Sequence, residues 1–243
     1  MYIIFLNMKL RYLFLGLGSI GLLLAAPHLK TATQGIAGLS SPQPIAQSVA
    51  VSPSPKTPEQ IAQDIFERTN PAVVTVYCGQ EIGSGSMVSP NGLVLTAKHV
   101  VWGNSEIKIK TADGKTYTGW LRNIDPQNDL ALVQLETKDN FPVITQAKTV
   151  TLKAGEKVHA IGSPKGKAGT FTSGTYLGTN AHGSLKTSKG LLEPGNSGGP
   201  LLNQKGEMVG VNKGLLPDGS GLSTSLTIAR QLIDRTARSG QAK

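Results

Sequence analysis

From Pro71 onward, short apolar or alternating segments are separated by glycine-containing turns, and this pattern restricts the fold more than any other feature of the sequence. Asn91-Gly92 separates SGSMVSP from LVLTA, and Asp113-Gly114 separates EIKIKTA from KTYTGWL, as expected for β-hairpins. Similar segments recur as far as GLSTSL. Many short strands with few helices predict an all-β sandwich or barrel. Residues 71–226 are too many for one small barrel and suit two six-stranded antiparallel β-barrels with short flanking helices.

Two amphipathic helices are predicted to flank the strand-rich region. Thr57 can cap the first, Pro58 suits its first turn, and Asn70-Pro71 ends it. Its apolar face carries Ile61, Ile65 and Phe66. The second helix covers TIARQLIDRTARSG, with an inward face of Ile228, Leu232 and Ile233.

The N-terminal segment predicts export from the cytoplasm. Lys9 and Arg11 precede an apolar run of about fifteen residues, which suits a secretory signal better than a full membrane span of roughly twenty. Residues 1–26 are therefore either a cleaved signal peptide or a retained signal anchor that tethers the chain to a membrane, and Met8 is an alternative start. Residues 27–56, rich in Pro and Ser, predict a flexible linker.

The charge distribution, the single cysteine and the missing binding motifs argue against nucleic-acid binding, a disulfide and a cofactor. The formal net charge is +9, but the Lys and Arg residues are scattered and only 5% of residues are aromatic, so nucleic-acid binding is not expected. The single cysteine, Cys78, ends an apolar strand and is interpreted as an inert buried thiol; an intramolecular disulfide is excluded. There is no HExxH, no cysteine pair and no phosphate-binding loop, so no metal or other cofactor is expected.

The segment EPGNSGGP places Ser197 in a glycine-rich turn, which is either only a tight connection or the site of a nucleophile. A serine hydroxyl needs a base. His99, at the end of the strand LVLTA, is the candidate; His28, His159 and His182 lie by the signal segment, within a strand and in a loop. Asp129 directly precedes the apolar strand LALVQL, so its carboxylate needs a partner, whereas its competitor Asp125 has turn-type neighbours.

The candidate residues follow the chain order His99, Asp129, Ser197, the order found in the chymotrypsin type of serine protease. The segments SGSMVSPNGLVLTAKHVV, DPQNDLALVQL and EPGNSGGPLLNQKGEMVGVN resemble the trypsin-like (chymotrypsin-fold) serine proteases, and among them the HtrA/Deg-like bacterial branch. The resemblance covers about residues 58–236. It implies a double barrel with the active site between a first barrel at about 71–150 and a second at about 151–226.

The same resemblance implies the roles of the site residues. His99 would be the general base and acid, Asp129 would orient it, and Ser197 would form the acyl-enzyme. The backbone N–H groups of Gly195 and Ser197 would form the oxyanion hole. Glycine suits such a loop because it tolerates positive φ and close approach of a substrate.

The resemblance also implies a substrate pocket with Leu191, six residues before Ser197 where the related digestive enzymes have the floor of the pocket, together with Asn212. Leucine offers no anion to a basic substrate side chain, which favours a small or medium apolar residue before the cleaved bond, although Glu193 lies close by in the sequence.

Two departures from the family pattern affect regulation. Residue 196 is Asn where digestive members carry the Asp that pairs with a newly cut N-terminus, so activity without zymogen cleavage is expected. The sequence ends at Lys243 without the PDZ domain of the HtrA/Deg branch, so residues 57–238, with a C-terminal helix at 227–238, are expected to act as a single protease domain.

The sequence thus predicts an exported serine endopeptidase, periplasmic or extracellular, acting on protein or peptide substrates, including unfolded ones. The alternative is a protease-fold chaperone or envelope adaptor that binds peptides with little or no catalysis. The sequence does not specify the oligomeric state.

Overall fold

The computed structural model describes residues 56–103 and 106–241. The predicted signal segment (1–26), and the linker (27–56) except for its last residue, lie outside this part of the chain. Within the described residues, none of the helices combines the length and apolar character needed to cross a bilayer.

Six antiparallel strands form a first closed barrel, in the order β1-β2-β3-β6-β5-β4. They are β1 (Val73–Cys78), β2 (Glu81–Ser89), β3 (Leu93–Ala97), β4 (Ile107–Lys110), β5 (Thr116–Asp125) and β6 (Leu130–Leu135). Both predicted hairpins are confirmed: β2 pairs with β3 across Asn91-Gly92, and β4 pairs with β5 across Asp113-Gly114. Gly92 and Gly114 both have positive φ, which these turns require.

A second closed barrel has the strand order β10-β11-β12-β9-β8-β7. Its strands are β7 (Lys157–Gly162), β8 (Thr170–Thr179), β9 (Leu185–Thr187), β10 (Pro200–Leu202), β11 (Met208–Leu215) and β12 (Gly221–Ser225). The predicted all-β double barrel is therefore confirmed. Strand β9 was not predicted, because three residues are too short to show an alternating pattern.

Three α-helices accompany the barrels in the described part of the chain: α1 (Pro58–Thr69), α2 (Lys98–Val101) and α3 (Leu226–Gln241). Thr57 caps α1 through a reciprocal capping box with Gln60. Ile65 is buried, and Phe66 packs edge-on against Phe171 of the second barrel. Ile61, expected on the same face, is 42% exposed, so the packed face of α1 begins at Ile65.

One apolar cluster extends from the first barrel into the second. Together with the side chains of β1, β3 and β6, it includes Ile161, Leu202, Met208 and Val211 from the second barrel. Helix α3 adds Leu226, Ala229 and Leu232, while Ile228 and Ile233 pack partly buried against it. Because burial of apolar surface is the main stabilising term in folding, this shared core fixes the two barrels side by side.

Candidate active site

His99 lies on α2, immediately after strand β3, and its backbone is fixed to the start of β6. The N–H of Lys98 donates to the carbonyl oxygen of Asp129 at 3.0 Å, and the N–H of His99 donates to Asp129 Oδ1 at 3.0 Å. Asp129 has a φ of +56°, a left-handed conformation that Asp and Asn adopt more readily than most residues. The end of β3 and the start of β6 thus present a histidine and a carboxylate to each other.

The Asp129 carboxylate also faces the imidazole ring. Oδ2 of Asp129 lies 2.7 Å from Nδ1 of His99. The Asp129 side chain is 16% exposed and the His99 side chain is 44% exposed. The pKa of His99 is raised, mainly by this hydrogen bond, although burial acts in the opposite direction. The negative charges of Asp129 and Glu81 raise the pKa further, and the positive charge of Lys213 lowers it. With the proton on Nδ1, Nε2 is left as an acceptor.

Asp125, the competing carboxylate, binds residues of a turn and of helix α3. It accepts hydrogen bonds from the backbone N–H and the side-chain amide of Asn128, at 3.2 and 2.9 Å, and lies 3.6 Å from Arg235. It therefore stabilises the turn between β5 and β6, as its turn-type neighbours indicate. The structure brings Asp129, and not Asp125, to His99.

The loop before Ser197 contains a tight turn from Glu193 to Asn196. The N–H of Asn196 donates to the carbonyl oxygen of Glu193 at 3.0 Å, and Gly195, in the third position, has a φ of +105°. Pro at the second position and a positive φ at the third are typical of a type II turn. A side chain at Gly195 would not fit, because its Cβ would lie 2.6 Å from the carbonyl oxygen of Ser163.

The amides of this loop fall into two groups. The N–H groups of Asn196, Gly198 and Gly199 donate to the backbone carbonyls of Glu193, Asn212 and Asn196, respectively. Among the described residues, the N–H groups of Gly195 and Ser197 have no hydrogen-bond acceptor. Two unpaired amides on alternate residues of one loop can donate to a negatively charged oxygen, which is the requirement for an oxyanion hole.

Ser197 and His99 line one cavity of about 300 Å³ between the barrels. The Ser197 hydroxyl donates to the backbone carbonyl of Lys213 at 3.5 Å. No hydrogen bond joins the Ser197 hydroxyl to His99 among the described residues, and the shared cavity is what places the two side chains together. Such a hydrogen bond is often poorly formed without substrate and tightens when substrate is bound. The cavity is mainly apolar, with two charged side chains; its other lining residues are Leu192, Glu193, Pro194, Asn196, Lys213, Gly214 and Leu215.

Leu191 and Asn212, the predicted pocket residues, are both fully buried outside the lining of this cavity. Leu191 packs in the core of the second barrel, where its carbonyl oxygen accepts a hydrogen bond from Thr172 at 2.7 Å. The Asn212 side chain joins Pro200 of β10 to Ser223 of β12. Leu192, one residue beyond the predicted position, lines the cavity instead.

Lys213 and Leu215 were not singled out from the sequence. Both lie at the end of β11, after its apolar run, where the neighbouring Asn212 exchanges backbone hydrogen bonds with Gly198 and Gly199 of the Ser197 loop.

The two other described histidines lie away from the cavity. His159 is almost fully buried in β7, with Nδ1 2.8 Å from the Ser173 hydroxyl and its ring stacked on Phe171. Burial, with a smaller effect of Lys157, lowers the pKa of His159 to about 4. His182 is exposed in the turn between β8 and β9. Across residues 56–103 and 106–241, there is no group of three or more His, Cys, Asp or Glu side chains placed to hold a metal ion.

Comparison with known proteins identifies the family. The family described as "Trypsin-like peptidase domain" matches residues 83–211. Serine protease HTRA1 of Xenopus laevis is 34% identical over 180 residues, covering 65% of this chain and 39% of the relative. A Pseudomonas fulva protein named "Probable periplasmic serine endoprotease DegP-like" is 29% identical over 238 residues, covering 88% of this chain and 50% of the relative.

A solved structure of a serine endoprotease is also similar to this chain. The crystal structure of the serine endoprotease from Yersinia pestis matches with a TM-score of 0.68 and 31% identity, over 76% of this chain and 68% of the other. The chain spans half or less of the length of the two curated relatives named above. The chain belongs to the trypsin-like peptidase domain family, and its relatives within that family are serine proteases of the HtrA and DegP-like type.

Proposed function

We propose that this chain is a serine endopeptidase that cleaves peptide bonds through an acyl-enzyme on Ser197. The observation that carries the proposal is the paired His99 and Asp129 facing one cavity with Ser197, whose own loop holds two unpaired amides. Each component of acyl transfer is thus available: a nucleophile, a base, an orienting carboxylate and donors for an oxyanion.

The reaction follows from these positions. Nε2 of His99 takes the proton from Ser197 Oγ as the oxygen attacks the substrate carbonyl carbon, and Asp129 stabilises the imidazolium that forms. The carbonyl oxygen, now negative, accepts hydrogen bonds from the N–H groups of Gly195 and Ser197. His99 returns the proton to the leaving amine. A water molecule, activated by the same base, then hydrolyses the ester.

The cavity favours an apolar residue before the cleaved bond. Leu192, Pro194 and Leu215 contribute apolar surface, whereas Glu193 and Lys213 bring one charge of each sign. We therefore propose protein or peptide substrates, including unfolded chains, with a small or medium apolar residue at this position. The name of the Pseudomonas fulva relative includes "periplasmic", which supports an exported protein. In this proposal residues 1–26 direct export, either as a cleaved signal peptide or as a retained anchor that tethers the chain to a membrane.

Asn196 supports activity without zymogen cleavage. It is fully buried beside the Ser197 loop, and its Oδ1 has no hydrogen-bond partner among the described residues. A neutral amide cannot form the ion pair with a new N-terminus that an aspartate would form. We expect the chain carrying an uncleaved N-terminal tag to be as active as the chain with that tag removed.

Labelling with a fluorophosphonate probe tests the assignment of Ser197. The wild-type chain should be labelled, and Ser197→Ala should not be. Equal labelling of the two would refute acylation at Ser197. Turnover of unfolded casein, lost in His99→Ala, separates the endopeptidase from a protease-fold chaperone or adaptor, which would bind casein without cutting it.

A further inference from the structure

Ser84, on strand β2, connects the first barrel to the loop that carries Ser197. Its side chain is fully buried, and its backbone N–H donates to the carbonyl oxygen of Ser197 at 2.8 Å. Its own carbonyl oxygen accepts a hydrogen bond from Thr96 at 2.7 Å, which fixes the residue within the first barrel. A residue of one barrel thus binds the backbone of the candidate nucleophile in the other.

The Ser84 hydroxyl makes two further hydrogen bonds, both to the second barrel. It donates to the carbonyl oxygen of Gly195 at 2.6 Å and accepts from the backbone N–H of Ser163 at 2.9 Å. The Ser163 hydroxyl in turn lies 2.6 Å from that of Thr75 on β1. One buried hydroxyl therefore joins the turn before Ser197 to the loop after β7.

These contacts hold two peptide groups of the Ser197 loop at both ends. In the Gly195-Asn196 peptide, Ser84 Oγ binds the C=O and the Glu193 carbonyl binds the N–H. In the peptide that joins Ser197 to Gly198, Ser84 N–H binds the C=O and the Asn212 carbonyl binds the N–H. These peptides cannot rotate without losing two hydrogen bonds each, so they fix the backbone beside the free amides of Gly195 and Ser197. The Ser197 N–H belongs to the Asn196-Ser197 peptide, whose C=O accepts from the Gly199 N–H at 3.0 Å. The Gly195 N–H belongs to the Pro194-Gly195 peptide, which joins the held C=O of Gly195 through the φ and ψ of that residue.

The surroundings of Ser84 allow little adjustment. A Cβ on Gly162 would lie 2.8 Å from Ser84 Oγ, and one on Gly199 would lie 3.0 Å from Ser84 Cβ. Such close contacts, made possible by glycines, restrict the hydroxyl to its observed partners.

We infer that the Ser84 hydroxyl is a positioning group for the oxyanion hole, because it binds the Gly195 carbonyl and so holds the turn from Glu193 to Asn196, whose conformation sets the direction of the Gly195 amide. The inference rests on the proposed peptidase function. Ser84 does not touch substrate; it acts by keeping the turn from Glu193 to Asn196 in one conformation.

Ser84→Ala tests this inference, and Ser86→Ala is its matched control. Ser86 lies two residues along the same strand and is equally buried, but its hydroxyl has no hydrogen-bond partner among the described residues. The probes are tripeptide p-nitroanilides ending in Ala, Val or Leu, together with a peptide boronate, whose tetrahedral adduct needs the oxyanion hole. Thermal unfolding gives the folded fraction of each variant.

We expect Ser84→Ala to lower kcat about 10- to 100-fold, since a misplacement of about 1 Å costs on the order of 100-fold. KM should change less than about twofold, because ground-state binding does not use the hole. Boronate affinity should fall by the same factor as kcat/KM, and Ser86→Ala should stay within about twofold of wild type in every measurement. Equal kcat for folded Ser84→Ala and Ser86→Ala, or a loss confined to KM, would overturn the inference.

A variant that does not fold and a wild-type chain without activity each have a separate interpretation. If Ser84→Ala does not fold, Ser84→Cys replaces the hydroxyl by a weaker donor of similar shape; it should lower kcat at constant KM, and wild-type kcat would refute the role of the hydroxyl. A wild-type chain that neither turns over the peptides nor reacts with a fluorophosphonate at Ser197 would instead refute the proposed function.

Discussion

The carboxylate of Asp129 binds His99 twice, with Oδ1 accepting the backbone N–H at 3.0 Å and Oδ2 lying 2.7 Å from Nδ1 of the ring. A carboxylate held to both the main chain and the side chain of its partner fixes the position of the ring as well as its tautomer. Asp129 makes both contacts from a left-handed conformation, with a φ of +56°.

Asp129→Asn should therefore lower kcat on the order of 10,000-fold while leaving the fold intact. Asn tolerates the same positive φ, but its amide can donate to Nδ1, which moves the ring proton to Nε2 and removes the base. Steady-state turnover of a tripeptide p-nitroanilide measures the loss. Asp125→Asn, which affects only the turn before β6, should retain kcat within a few-fold; a comparable loss there would contradict the assignment of Asp129.

The pH dependence of turnover should change when Lys213 loses its charge. The base must be neutral, so activity is lost as pH falls through the pKa of His99, which Lys213 lowers. Lys213→Met should raise that pKa and move the acid limb of kcat/KM to higher pH. Lys213→Arg keeps the charge and should leave the limb in place. An acid limb that moves to lower pH in Lys213→Met would show that the charge does not act on His99 as proposed.

Protonation of His159 should lower the free energy of unfolding in acid. Its pKa in the folded chain is lowered to about 4 from the ordinary value of 6.5, so the unfolded chain binds the proton first as pH falls. Stability is unaffected well above pH 6.5 and decreases between pH 6.5 and about 4, by about 3 kcal/mol in total. His159→Gln should reduce this decrease in urea unfolding measured at several pH values. The exposed His182→Gln should reproduce the wild-type pH profile.

Alanine substitution at two glycines with similar φ can distinguish the cost of backbone strain from the cost of a steric clash. Gly190 has a φ of +78° and open space where a Cβ would lie, whereas a Cβ on Gly198 (φ +85°) would lie 2.2 Å from both Ser84 O and Thr96 Oγ1. Gly190→Ala should cost about 1–2 kcal/mol in urea unfolding, the usual penalty of a left-handed alanine. Gly198→Ala must also move backbone and should cost well over that amount, with loss of turnover. Equal costs would mean that the loop around Gly198 relaxes freely.

The positions of the paired His99 and Asp129 could be predicted because each adjoins a strong apolar strand whose end is easy to locate. The two consecutive leucines at 191 and 192 could not be separated in this way. They are equally apolar and both belong to the core cluster of the second barrel, and only the turn between β9 and β10 decides that the second also lines the cavity. Ser84 could not be identified either, since the two partners of its hydroxyl are 79 and 111 residues away in the chain.

The hydrogen bonds of Ser84 also bear on how such domains can be recombined. The loop that carries Ser197 belongs to one barrel, yet its backbone is held by a residue of the other. The partners of Ser84 in the second barrel are main-chain groups of Gly195, Ser197 and Ser163. A chimera that joins the first barrel of one relative to the second barrel of another would therefore keep these contacts only if the two barrels meet with the same backbone geometry, and the interface between the barrels is part of the chemistry.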